Sequence, residues 1–336
     1  MKANKEKKRS SYISMSIRII GSTSLLFWLI HLIEWNRILE VGKNASPIYL
    51  ISAFIAIQLT VFSSVWKWKM IVHSSLNETE RGNASVMKLG CFYYIGLFFN
   101  NFLPGSVGGD VIRVFYLGRI TGIPIATASV AFERLTSGFA LIVISIISVL
   151  SIRIARPFLY SILLVIGIIM FLLLIVGLFM KKGNFRIADT NTKIGGLLEK
   201  VWNGLSKIIS VAKDYRKQNF KWWILIIMLS LAFQAGLAWI NQLLFLSLNI
   251  HLPWMHLLMA ITLISVITML PVSVNGIGVR EGCYVFFFTG LGVPDEIAVS
   301  VSLLFLFLVT LTSVIGGVFW ILGRGKQNEA VRESIH

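Results

Sequence analysis

Apolar residues in this chain do not alternate with polar ones. They gather into long stretches separated by short polar breaks or by glycine and proline. A stretch of about 18 apolar residues or more is long enough to cross a hydrocarbon core of roughly 30 Å. Backbone groups in lipid must bond one another, so each such stretch predicts an α-helix. Full spans are read at approximately 15–34, 47–66, 124–150, 157–180, 222–248 and 296–323. Two further apolar regions, 88–118 and 254–291, are broken in their middles by glycine and proline. These predict re-entrant helical hairpins, with ordinary spans, eight in all, as the alternative. The expected fold class is an all-α polytopic membrane protein, with residues 1–336 forming a single transmembrane domain.

The sizeable polar segment, 181–221, has its own pattern. Ile194, Leu197, Leu198, Val201, Leu205, Ile208 and Ile209 recur every three or four positions, as in an amphipathic helix. The segment reads as a cytoplasmic amphipathic linker that lies on the inner leaflet or docks on the bundle. It holds ten Lys or Arg against three acids. The N-terminal tail (Lys2, Lys5, Lys7, Lys8, Arg9), the segment 67–88 (Lys67, Lys69, Arg81, Lys88) and the C-terminal tail (Arg324, Lys326, Arg332) are basic too. Basic loops stay cytoplasmic, which places both termini, the linker and 67–88 inside. The turn at 249–253 has no Lys or Arg and Pro294-Asp295-Glu296 is acidic, so both fit the outer side. Arg153 and Arg156 run against this scheme, which puts them outside.

Composition agrees with the pattern. The 336 residues are 56% hydrophobic and 14% charged, where a soluble domain carries about 25% charged residues. The net charge of +16 is accounted for by basic cytoplasmic loops against anionic headgroups, so nucleic acid is not an expected partner. Cys91 and Cys283 form no CxxC or Cys/His cluster, so no zinc site or disulfide framework is expected. The basic N-terminus and the apolar run after it lack a clear cleavage site and read as a retained first helix. Many tryptophans, among them Trp66, Trp68, Trp222, Trp223 and Trp254, fall near span ends, as an aromatic belt does.

The two interrupted regions match each other. Leu103, Pro104, Ser106, Val107, Gly109 and Arg113 find the same residue types 167 positions later at Leu270, Pro271, Ser273, Val274, Gly276 and Arg280. Gly122-Ile123-Pro124 is echoed by Gly292-Val293-Pro294 at an offset of 170. Paired Gly/Pro-interrupted segments mark the repeats of transporters. With the orientation above, the halves, approximately 47–150 and 222–323, have opposite topology and predict an inverted repeat.

Six charged residues fall at membrane depth: Asp110, Arg113, Glu133, Arg134, Arg280 and Glu281. Each costs at least about 2.5 kcal/mol at a helix centre unless it is paired or wetted. One reading is structural pairing that locks the hairpins to the bundle. The other is a headgroup site, because arginine presents a planar fork suited to phosphate oxygens. Pro104, Gly105, Gly108 and Gly109, and likewise Pro271, Gly276, Gly278 and Gly282, shape hairpin backbone just ahead of a helix start, where anions bind. Asn100, Asn101, Ser106, Ser273 and Asn275 supply hydrogen-bonding side chains nearby. The sequence carries no phosphate-loop motif for ATP, its Gly276-Ile277-Gly278 is out of register for a dinucleotide fingerprint, and its five histidines are scattered. No cofactor, metal or catalytic residue is expected.

Three segments together resemble a known family. They are Asn100-Asn101-Phe102-Leu103-Pro104-Gly105-Ser106-Val107-Gly108-Gly109-Asp110 with Arg113, then Glu133-Arg134-Leu135, then Leu270-Pro271-Val272-Ser273-Val274-Asn275-Gly276-Ile277-Gly278-Val279-Arg280-Glu281-Gly282. They are similar to the lysylphosphatidylglycerol synthase transmembrane region, the flippase-like or UPF0104 family. In bifunctional members this region moves aminoacylated phosphatidylglycerol to the outer leaflet, and a separate cytoplasmic domain makes that lipid. The chain ends at His336 directly after its last span, so neither the synthase domain nor lysyltransferase activity is expected. The resemblance implies translocation of a polar-headgroup or anionic lipid, an aminoacyl-phospholipid or a glycolipid, across the cytoplasmic membrane. A membrane-embedded transferase using Asp110 or Glu133 as base, and a non-transporting partner of an envelope assembly, are the alternatives. The partners implied are membrane lipids and a lipid-modifying synthase or glycosyltransferase.

Overall fold

The computed structural model describes residues 43, 45–101, 108–151, 210–211, 213–269 and 278–333, with the side chains beyond Leu322 left out. The predicted spans 15–34 and 157–180, the loop residues 102–107 and 270–277, and the linker up to residue 209 lie outside these. Every regular element among the described residues is helical. In chain order they are α1 (Pro47–His73), the single turn α2 (Glu78–Arg81), α3 (Val86–Asn100), α4 (Gly108–Thr121), α5 (Ile123–Ser151), α6 (Phe220–Ser247), α7 (Trp254–Met269), α8 (Val279–Thr289) and α9 (Asp295–Glu333).

Helices α1, α5 and α6, and α9 from Asp295 to Leu322, are long and apolar enough to cross a membrane. They match the expected spans 47–66, 124–150, 222–248 and 296–323 within a few residues, except that α1 runs on to His73. That extension overturns one placement. Lys67, assigned from charge to a cytoplasmic loop, lies inside α1 and is 1% exposed. The reason is visible in the helical stripe Thr60, Ser64, Lys67, Trp68 and Ile71, whose members are all buried on one face.

Local signals set the helix limits. Pro47 sits in the first turn of α1, where its missing N–H is no loss. The Ser85 hydroxyl accepts from the Lys88 N–H at the start of α3, and the Asn219 side chain accepts from the Trp222 N–H at the start of α6. Gly122 and Gly292 both take a left-handed φ, +85° and +84°, which glycine adopts without steric cost. Each is followed two positions later by proline, and each turns the chain into a long helix, α5 or α9. The sequence echo at offset 170 is thus matched by one backbone device used twice.

The interrupted region 88–118 is two helices, α3 and α4, that double back on each other. Phe92 stacks on Tyr116 with ring centroids 5.3 Å apart, Gly96 abuts Arg113, and the Gly109 N–H donates to Asn100 Oδ1 at 2.6 Å. The closeness depends on Gly109, where a Cβ would overlap the Gly96 carbonyl. Region 254–291 is likewise two helices, α7 and α8, in contact with each other. Among the described residues the arms have 11 to 16 residues, about 16–24 Å at 1.5 Å per residue.

Helices α1 and α6 pack along their whole length. The Ser46 N–H donates to the Ser247 carbonyl at 2.8 Å, Thr60 lies against Gly236, Lys67 donates to Ser230, and Ile71 shares a cluster with Ile226. Numbers fall on α6 as they rise on α1, so the pair is antiparallel. Around it the contacts come in matched sets. Helix α3 packs on α9 and α7 on α5; α4 packs on α5 and α8 on α9. Gln58 on α1 donates to Thr312 on α9, while Gln234 on α6 donates to the Ser137 carbonyl on α5. Ser148, Ser230 and Thr262 inside the bundle each donate to the carbonyl four residues upstream in their own helices, so burying these three hydroxyls leaves no donor unmet.

Candidate functional site

The first four predicted charges meet in one cluster on α4 and α5. Arg113 and Glu133 form a close ion pair with side chains 4% and 5% exposed. Arg113 also reaches Asp110, one turn earlier, at 3.3 Å. Asp110 in turn holds Arg134 through two bonds of 2.7 and 2.9 Å. Two arginines against two carboxylates leave the chain Glu133–Arg113–Asp110–Arg134 formally neutral, which is how such groups become tolerable at membrane depth. The Arg113 guanidinium is also clamped between rings, 4.1 Å from the Trp68 centroid and 4.3 Å from that of Tyr93. Cation–π contacts gain strength where water is excluded.

Lys67 extends the cluster to the second half. Its ammonium donates to Ser137 Oγ on α5 at 2.6 Å and to Ser230 Oγ on α6 at 3.2 Å. The charges of Glu133, Arg113 and Arg134 act on it. One buried cation thereby bridges α1, α5 and α6.

Beside this cluster lies a cavity of about 290 Å³ between the halves. From the first half it is lined by Tyr93, Asn100, Glu133, Arg134 and Ser137; from the second by Gln234, Asn241, Thr268, Arg280 and Tyr284. The Arg280 guanidinium stands 5.5 Å from the Phe305 ring, and the Tyr284 hydroxyl donates to Asn241 Oδ1 at 2.5 Å. The lining thus offers two guanidinium groups, a carboxylate, amides, hydroxyls and phenols within apolar walls such as Leu141, Leu237, Ile261 and Ile264. Among the described residues no group of three or more His, Cys, Asp or Glu is placed to hold a metal ion.

The structure sorts the residues singled out from sequence. Asn100, Glu133, Arg134 and Arg280 line the cavity. Arg113 does not, although it occupies the sequence position that matches Arg280. Arg113 sits behind Glu133 because the paired carboxylate and two aromatic rings already occupy its faces. Asp110 also stays outside the lining, held by both arginines. Asn101 is 4% exposed and donates to Ser313 Oγ on α9, which pins the hairpin tip to the second half. Glu281 accepts from the Gly278 N–H at the start of its own helix at 2.5 Å and from Ser302 Oγ on α9 at 3.2 Å. Gly278, with φ +82°, makes the turn into α8; Gly108 and Gly109 open α4, and Gly282 is exposed on α8. Ser106, Ser273, Asn275, Pro104, Gly105, Pro271 and Gly276 lie outside the described residues.

Sequence reasoning passed over Lys67, Tyr93, Gln234, Asn241 and Tyr284. The two amides carried a readable signal, since residues seven apart in an apolar helix share one face. The phenols carried none, because tyrosine at a span is ordinary.

Comparison with known proteins places the chain in a family. A UPF0104 membrane protein of Methanocaldococcus jannaschii is 27% identical, over 86% of this chain and 91% of its own length. Another, from Methanothermobacter thermautotrophicus, is 24% identical over 80% of this chain and 81% of its own. The description of the lysylphosphatidylglycerol synthase TM region fits residues 15–317. The chain is a multi-pass membrane protein that belongs to the lysylphosphatidylglycerol synthase TM region family.

Proposed function

We propose that this protein moves a lipid with a polar or anionic headgroup across the cytoplasmic membrane. The observation that carries the reading is the cavity of about 290 Å³ with Arg134, Glu133 and Arg280 on its walls, inside a bundle whose outer faces are apolar. A volume near the lower end of small-ligand pockets suits a headgroup, while acyl tails remain in the surrounding lipid. Arg280 and Arg134 are suited to a phosphate, and Glu133 to an amino group, as in an aminoacyl-phospholipid. Amide and hydroxyl side chains suit a glycolipid equally.

An inverted repeat, with halves near 47–150 and 222–323, is the second part of the proposal. The antiparallel α1–α6 pair and the matched contacts on either side of it support a pseudo-two-fold axis in the membrane plane. In this scheme α3–α4 dips in from the cytoplasm and α7–α8 from outside, with both termini and the 181–221 linker cytoplasmic. Rocking of one half against the other would alternate access to the cavity. A lipid-modifying synthase or a glycosyltransferase would supply the cargo.

The test is reconstitution into liposomes with a panel of headgroup-distinct fluorescent lipids, whose loss from the outer leaflet is read by quenching. At least one lipid should equilibrate faster than in protein-free vesicles and faster than with Arg280→Gln. A panel in which no lipid gains over empty vesicles sinks the proposal.

A further inference from the structure

A second cavity, of about 280 Å³, lies where the end of α1 meets the residues leading into α6. It is lined by Trp66, Lys69, Met70, His73, Arg81 and Trp222, together with Ser74 and Gln218. None of these lines the cavity between the halves. We infer that this pocket binds the phosphate of an anionic glycerophospholipid from the cytoplasmic leaflet, held by Lys69 and Arg81 between two tryptophans.

The chemistry follows from the lining. Two basic side chains, Lys69 and Arg81, line the pocket and no carboxylate does. Of the acids on the neighbouring elements, Glu78 and Glu80 are exposed on α2, Glu80 is engaged with the Asn77 N–H, and Asp214 pairs with Lys217. Arg81 spends its Nε on the His73 carbonyl at 3.1 Å, which aims the guanidinium from a fixed base. His73 has Nε2 2.8 Å from the Ala84 carbonyl. A carbonyl only accepts, so Nε2 carries the proton. Lys69 lies over the Trp66 ring at 4.9 Å, which leaves its ammonium beside the apolar wall. A pocket of cations beside tryptophans at a span end matches the depth of lipid headgroups. The leaflet assignment rests on the charge-derived orientation given above.

The same pocket has a structural reach. Its Trp222 stacks on Tyr215, and Tyr215 packs on Phe132 of α5 and is 0% exposed. A headgroup seated there touches α1, α2 and the end of the linker together, so its binding fastens the linker to the bundle.

The experiment uses the full chain in a neutral detergent. Dihexanoylphosphatidylglycerol, dihexanoylphosphatidylcholine and inorganic phosphate are each titrated while tryptophan fluorescence is followed. Phosphatidylglycerol should saturate a signal that disappears in Trp66→Phe/Trp222→Phe. Its apparent affinity should fall at least tenfold in Lys69→Gln/Arg81→Gln, stay unchanged in Arg280→Gln, and be retained in Lys69→Arg. Equal affinity in Lys69→Gln/Arg81→Gln overturns the site. So does a signal lost in Arg280→Gln instead, since it would then report the cavity between the halves. Phosphatidylcholine binding as tightly as phosphatidylglycerol overturns the anionic requirement. Inorganic phosphate saturating the signal at the same concentration overturns the lipid assignment in favour of a free anion.

Discussion

Glu133→Gln is the sharpest perturbation of the charge cluster. It keeps the side chain's shape and removes the charge that neutralises Arg113. Both side chains are about 95% buried. Removing one partner of such a pair costs about 3–5 kcal/mol, because the other charge is left uncompensated. Arg113 keeps Asp110 at 3.3 Å and its two ring contacts, so the expected loss sits at the lower end, about 3 kcal/mol. That is more than a hundredfold in the unfolding equilibrium. Replacing both partners, as in Arg113→Met/Glu133→Leu, removes the charge and its desolvation together. The double variant should recover to within about 2 kcal/mol of the parent. The assay is equilibrium unfolding in mixed micelles on parent, both singles and the double, with lipid translocation measured on each stable protein. If Arg113 is a clamp, the double variant folds and still moves an anionic lipid without an amino headgroup within a few-fold of the parent rate, because Arg280 and Arg134 remain for the phosphate. A Glu133→Gln cost below about 1 kcal/mol, or a stable double variant that moves no lipid, refutes the clamp.

Four further outcomes are expected. Arg280→Lys should insert and fold normally but move lipid more slowly, since lysine keeps the charge and loses the two-pronged fork; a wild-type rate in the liposome assay would remove Arg280 from the mechanism. Gly109→Val should separate α3 from α4, lower thermal stability in detergent and abolish transport, while Gly282→Ala, with nothing near its added Cβ, should leave both unchanged. A cysteine at Lys217, whose side chain is 75% exposed, should resist a membrane-impermeant reagent added outside intact cells; strong labelling there would reverse the orientation. Lys67→Met should remain monodisperse on size exclusion, whereas Lys67→Glu should not, because it sets a second carboxylate against Glu133 in a low dielectric.

The four spans among the described residues were legible because lipid imposes a length and a composition on each. The limits of α5 and α6, the start of α9 and both breaks were therefore readable. The end of α1 was not. Lys67, Lys69 and His73 look like loop residues when charge alone is counted, and only the three-dimensional face that Lys67 shares with Trp68 and Ile71 shows α1 continuing. The site divided in the same way. That Asp110, Arg113, Glu133 and Arg134 needed partners followed from the energetics of membrane depth. Which partner each would choose did not, because Arg113 and Arg280 occupy matching sequence positions yet meet Glu133 in one half and Phe305 in the other. Repetition in sequence announces equivalent backbone; the helix opposite decides what each arginine does.

The bond between Asn101 and Ser313 joins residues 212 apart, and this separation bears on how the protein is made. The α3–α4 hairpin leaves the ribosome long before α9, the helix against which α3 packs, exists. At roughly 5–20 residues per second, the wait is on the order of 10–40 s. During it, the buried amide of Asn101 and the face of α3 that later receives Gly316 and Gly317 have no native cover. A nascent hairpin of this kind needs shelter from the insertion machinery. Ribosome pausing or truncation between residues 151 and 295 should therefore expose it to membrane proteases that spare the finished chain.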